Sequence, residues 1–168
     1  VGKTNFPITS TLMGLGCYPA SGDNWLGMLG MHGSYEANLA MHGCDFMLCI
    51  GARFDDRITG RVDAFSPDSK KVHIDIVPSS INKDIRVYVP IMGGIGHVLE
   101  DLLKVWKSRG RKTKSAAVAS WWKTIEEWRG VDCFAYKNSD KIIKPQYALE
   151  RLEALTKDAD RYITTEVG

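Results

Sequence analysis

The chain has 168 residues, 44% of them hydrophobic, and 22 Lys and Arg against 20 Asp and Glu give a net charge of +2. That length suits one ordinary domain plus part of another, and so even a charge balance supplies no electrostatic ground for binding nucleic acid or an acidic surface. No apolar run approaches the roughly 20 residues of a membrane helix, and the start, VGKTNFPITST, lacks the charged and apolar regions of a signal peptide.

Residues 6–12, FPITSTL, are β-rich and read as a strand, and the glycine and proline run at 13–23 reads as a sharp return. Gly14 and Gly16 hint at a dinucleotide fingerprint, but Pro19 occupies the place of its third glycine. Residues 26–33, LGMLGMHG, read as a glycine-broken loop with Gly27, Gly30 and Gly33 at every third position, suited to positive φ or to a ligand lying on bare main chain. Ser34 is placed to cap a helix running to about Met41, whose first free N–H groups would face whatever covers Met31, His32 and Gly33. Residues 45–50 form an apolar run, expected to be a strand buried on both faces, with Gly51 just beyond it. Arg53, Asp55, Asp56 and Arg57 then fall at the carboxyl end of that strand, where open α/β sheets hold their ligands. The bland reading of Asp55, Asp56 and Arg57 is an ion-paired loop.

Residues 70–76, KKVHIDI, predict a strand that delivers Asp75 near its carboxyl end, either to accept hydrogen bonds from a ribose diol or to cap the turn at 78–80. Residues 86–92 predict another strand, with Pro90 confining it to an edge. Gly93 and Gly96 lead into a helix whose stripe of Ile95, Val98, Leu99, Leu102, Leu103 and Trp106 predicts core packing. Lys104, Lys107, Arg109, Arg111, Lys112 and Lys114 form a basic run suited to a helix C-terminus and a solvated linker rather than to RNA or lipid. A helix over 115–129 carries Val118, Trp121, Trp122, Ile125 and Trp128 on one side, which suggests packing against a neighbouring domain more than a membrane surface, given Glu126 and Glu127. Residues 131–143 read as a linker, 144–157 as a helix with Pro145 at its first position, and 162–167 as a strand. Such a helix–strand pair reads as the opening of a further α/β domain, so both ends of the chain are expected to continue. Cys17, Cys44, Cys49 and Cys133 have no Cys-x-x-Cys spacing, which favours a reducing compartment, cytoplasmic or else a plastid or mitochondrial matrix. His32, His42, His73 and His97 lack zinc-ligand spacing, so no metal ligand is assigned.

LMGLG at 12–16, YPAS at 18–21, LGMLGMHG at 26–33, YEAN at 35–38, GARFDDRITGR at 51–61, HIDI at 73–76 and PSSINK at 78–83 together resemble the large catalytic subunit of acetolactate synthase, a thiamine-diphosphate enzyme. The resemblance implies an α/β fold: a three-layer, Rossmann-like parallel sheet flanked by helices. Residues 1–108 would be the central FAD-holding domain without its first strand, 109–143 a helical linker, and 144–168 the start of the pyrophosphate-binding domain. It implies an enzyme that condenses pyruvate with a second 2-oxo acid, using thiamine diphosphate and Mg2+ held on other domains, with FAD as a structural cofactor. Implied partners are the remaining domains, a homodimer or tetramer, and a small regulatory subunit.

Carried over by residue, Met31, His32 and Gly33 would lie along the flavin, with Arg53, Asp55 and Asp75 toward the ribityl and adenosine portions. Arg57 would meet the carboxylate of the second 2-oxo acid, Met31 would border that pocket and Asp56 would orient Arg57. Glu36, which would repel phosphate, is expected to point away. Val77 and Gly94 depart from the family at two acids near the adenosine end of FAD, which predicts a weaker hold there. The glutamate that activates thiamine and the Gly-Asp-Gly magnesium motif are absent from these residues, so alone they are expected to be inactive. Two further readings stay open: a free-standing nucleotide or flavin module, and another thiamine-dependent carboligase or decarboxylase.

Overall fold

The computed structural model describes residues 1–110 and 115–164, which fall into two compact units, Val1–Val131 and Asp132–Gly168. In the first unit, β1 (Ile8–Ser10) pairs in parallel with β2 (Trp25–Met28), and β3 (Phe46–Ile50), β4 (Lys70–Asp75) and β5 (Val89–Met92) form a parallel sheet in that order. Parallel neighbours cannot be joined by a tight turn, so the chain returns through longer connections. These carry α1 (Tyr35–Gly43) and the short α2 (Asp56–Thr59), while α3 (Ile95–Ser108) and α4 (Ser115–Arg129) follow β5. The expected α/β class with parallel strands and flanking helices is what forms.

α1 starts where Ser34 allows it. The Ser34 backbone is extended, its Oγ accepts the Ala37 N–H at 3.2 Å, and the same hydroxyl donates to the Leu26 carbonyl at 2.6 Å. One buried side chain thus caps the helix and ties it to β2. The buried face of α1, Ala37 and Ala40, is small enough for α4 to approach closely, and Ile125 and Leu26 complete that cluster with Trp121, Trp122 and Trp128 packed around it. The tryptophan helix therefore packs on α1 and β2 of its own unit. Its end is fastened by Arg129, which donates to the Trp25 carbonyl at 2.6 Å, and its middle by the Trp122 indole N–H, which donates to the Asn5 carbonyl at 2.8 Å.

Several expectations are corrected. Residues 25–28 are a strand and not loop, because β1 offers a parallel partner and Gly27 absorbs a φ of +91° within it. β3 is buried on one face alone. Cys49 and Met47 meet the second cluster, with Phe54, Phe65 and Ile85, while Phe46, Leu48 and Ile50 stay exposed on the opposite face of an edge strand. The α3 stripe does not reach a core. Ile95 and Val98 lie close over Gly51 and Gly93 at the sheet's end, whereas Leu102 and Leu103 are exposed further along the helix. Pro90 sits on the edge strand β5, as its missing N–H requires. In the basic run, Lys104 pairs with Asp101 at 2.9 Å, and Arg111, Lys112 and Lys114 lie outside the described residues.

The second unit holds α5 (Pro145–Thr156), with Pro145 in its first turn as expected. The Tyr136 hydroxyl donates to the Glu150 carboxylate, and Arg161 pairs with Glu153 at 2.6 Å. Residues 162–164 form no strand, since no described segment offers them a ladder, and 165–168 lie outside the described residues. Among the described residues no helix is long and apolar enough to cross a membrane.

Candidate functional site

The glycine segment before Ser34 and the charged segment after Gly51 meet. The Met31 N–H donates to the Arg57 carbonyl at 2.8 Å, and the Arg57 guanidinium reaches the Met31 sulfur at 3.8 Å. Gly30 makes this junction possible. Its φ is +90°, and a Cβ there would stand 2.4 Å from the Arg57 carbonyl oxygen and 2.9 Å from Ile58 Cα. Asn38, one turn into α1, grips Gly30 from the other side, its Oδ1 accepting the Gly30 N–H at 2.7 Å and its Nδ2 donating to the Gly30 carbonyl at 2.9 Å. Sequence reasoning quoted Asn38 within YEAN and missed this function. The signal available was an amide side chain one helical turn from a cap serine.

The charged segment is shaped by Phe54. Its φ is +58°, and its buried ring stands edge-on to Phe65 and His73, which turns the flanking Arg53 and Asp55 outward. Arg53 pairs with Asp55 at 2.7 Å, so the ion-paired reading holds for Asp55. It does not extend to Arg57, whose exposed guanidinium has no carboxylate partner among the described residues. Asp56 was expected to orient that guanidinium. Its Oδ1 instead accepts the main-chain N–H of Arg57 at 2.9 Å, an arrangement set by the first turn of α2. Arg53, Phe54, Asp55, Asp56 and Thr59 line an open cleft of about 440 Å³ together with Lys83 and Asp84. Met31, His32, Gly33, Arg57 and Asp75 are not among its lining residues.

At the carboxyl edge of the sheet the three strands end level. The Gly51 N–H donates to the Ile74 carbonyl at 2.8 Å and the Gly93 N–H to the Asp75 carbonyl at 3.0 Å. Asp75 is 5% exposed, and its Oδ1 accepts the N–H of Val77, the residue before the turn at 78–80, at 2.8 Å. α3 begins beside it at Gly94 with no side-chain cap, leaving its first amides to an outside acceptor. Met31 is 64% exposed, and His32 is exposed beside it. Burial pushes the Cys49 thiol up to about 12 and raises Cys44 as well, so neither is a ready nucleophile.

The family model of the thiamine pyrophosphate enzyme central domain matches residues 1–102. The chain belongs to this family. Two proteins named acetolactate synthase large subunit are similar to it: that of Haemophilus influenzae, 43% identical over 99% of the chain, and isozyme 3 of Escherichia coli, 42% identical over 98%. The chloroplastic acetolactate synthase 1 of Zea mays is 39% identical over 98%. The chain spans 29%, 28% and 26% of the length of these three relatives. As a thiamine pyrophosphate enzyme central domain, it brings together Met31 with Arg57 and Arg53 with Asp55. Asp75 lies at the end of β4.

Proposed function

We propose that the protein carrying this chain acts as an acetolactate synthase large subunit, joining pyruvate to a second 2-oxo acid to give acetolactate or acetohydroxybutyrate for branched-chain amino acid synthesis. The observation that carries this reading is the Met31–Arg57 junction, which presents an exposed guanidinium free of carboxylate partners among the described residues. A planar fork of that kind suits the carboxylate of an acceptor 2-oxo acid, with the Met31 thioether as an apolar border. Similarity to acetolactate synthases along nearly the whole chain supports the same reading.

In this proposal thiamine diphosphate, with Mg2+, supplies the carbanion chemistry from other domains of the protein. The residues present fit a structural FAD, because the sheet edge offers uncapped α3 amides at Gly94 for a phosphate and Asp75 at the neighbouring strand end. Met31, His32 and Gly33 would follow the flavin, with Arg53, Asp55 and Asp75 toward the ribityl and adenosine parts. Residues 1–108 would form the central domain, 109–143 its helical connection and 144–168 the start of the pyrophosphate-binding domain. A homodimer or tetramer with a small regulatory subunit, in the cytoplasm or a plastid, completes the proposal.

Arg57→Lys in the intact protein tests it. Replacing the fork by a point charge is expected to lower kcat/KM for the acceptor by about tenfold or more while flavin stays bound. Unchanged acceptor use would remove the role of Arg57. A visible flavin spectrum retained by the chain with no carboligase activity in the intact protein would favour a flavin-binding module instead.

A further inference from the structure

β4 carries Lys71, His73 and Asp75 at alternate positions, so the three side chains share one face of the sheet, and all three are buried. Two of them are satisfied. Lys71 donates to the Ser66 carbonyl at 2.6 Å and lies over the Phe65 ring, and Asp75 holds the Val77 N–H. His73 differs: it is 0% exposed, and neither ring nitrogen has a hydrogen-bond partner among the described residues. Buried polar groups are nearly always partnered, and an imidazole always has at least one N–H to place. Its ladder neighbours are Cys49 on β3 and Pro90 on β5, and the Phe54 ring stands edge-on at 5.0 Å. The Asp75 carboxylate faces its Nε2, with Oδ2 at 3.6 Å. A sub-ångström approach converts that separation into a charge-assisted hydrogen bond.

We propose that His73 is a positioning residue for Asp75. From inside the sheet its Nε2–H holds Oδ2, while Val77 holds Oδ1, and the carboxylate is fixed at the strand end where a cofactor diol would be met. The cofactor in this statement rests on the FAD reading above; the His73–Asp75 contact does not.

The test uses the intact protein and four variants: His73→Phe, which keeps a ring and removes both nitrogens, His73→Gln, which returns an N–H near the Nε2 position, Asp75→Asn, and His73→Phe with Asp75→Asn. FAD affinity is read from quenching of flavin fluorescence, and stability from urea midpoints. Expected are a loss of FAD affinity of about tenfold in His73→Phe, recovery to within about threefold of wild type in His73→Gln, and non-additive urea effects at positions 73 and 75. Additive urea effects, or a His73→Gln protein as impaired as His73→Phe, would overturn the proposal. Non-additive urea effects in a protein that binds no FAD would uphold the His73–Asp75 contact and overturn the flavin reading instead. Should His73→Phe fail to fold, His73→Gln decides alone: near-wild-type midpoint and affinity uphold the proposal, and loss of either overturns it.

Discussion

Gly30 and Asn38 show how much rests on a contact with no chemistry of its own. The two hydrogen bonds from the Asn38 amide hold a glycine whose missing Cβ leaves room for the Arg57 carbonyl. Asn38→Ala is expected to cost about 2 kcal/mol, from two part-buried hydrogen bonds worth about 1 kcal/mol each, as measured by urea denaturation. Gly30→Ala should cost at least about 2 kcal/mol, through positive φ and a backbone clash together, and should part Met31 from Arg57. An acceptor affinity unchanged by Gly30→Ala would show that the junction does not shape that pocket. Cys49 yields a pH prediction. Its folded-state value of about 12 stands above the ordinary 9.0, because burial disfavours the thiolate. The native state therefore binds more protons than the unfolded one between these values, and the stability it contributes is intact below about pH 9 and falls as pH rises toward about 12. Cys49→Ala is expected to flatten that part of the stability profile.

At the scale of elements, two helices with similar apolar stripes meet different fates. α4 finds the small face of α1, and Ile125 is 0% exposed; α3 meets the sheet near its N-terminal end and leaves Leu102 and Leu103 in solvent. Ile125→Ala should therefore cost about 2–4 kcal/mol, and Leu102→Gln with Leu103→Gln no more than about 0.5 kcal/mol. A large loss for the α3 pair would mean that its stripe is covered after all. Periodicity located both helices, because a stripe at 3.6 spacing is a local property of the chain. It was silent on what each stripe would meet. The alanines at 37 and 40, which decide the matter for α4, carry no mark in the sequence as a docking face. β2 escaped notice for a related reason: glycines at 27 and 30 look like loop until β1 is seen beside them.

For the molecule as a whole, the exposed Phe46, Leu48 and Ile50 on β3 and the uncovered α3 stripe leave apolar surface on the first unit, and Leu149, Leu152 and Leu155 do so on the second. Exposed faces of this kind drive association. The 168-residue chain by itself is expected to sediment heavier than a monomer at tens of micromolar and to melt below the roughly 45–65 °C of ordinary domains. Leu48→Lys, on the exposed β3 face, should shift it toward monomer. A cooperative melt above that range would count against the prediction.

Local chemistry in the sequence was enough for the Ser34 cap, the Pro145 start, the edge position of Pro90 and the placing of Arg53 to Arg57 after a strand. Each of these follows from backbone geometry within a few residues. Folding in three dimensions decided the rest: that Asp56 holds a main-chain amide and not the Arg57 guanidinium, that Asn38 clamps Gly30, that β3 has one open face, and that His73 is sealed beside Asp75. These depend on which distant surfaces come into contact, and burial and hydrogen-bond partners are properties of the contact rather than of either segment alone.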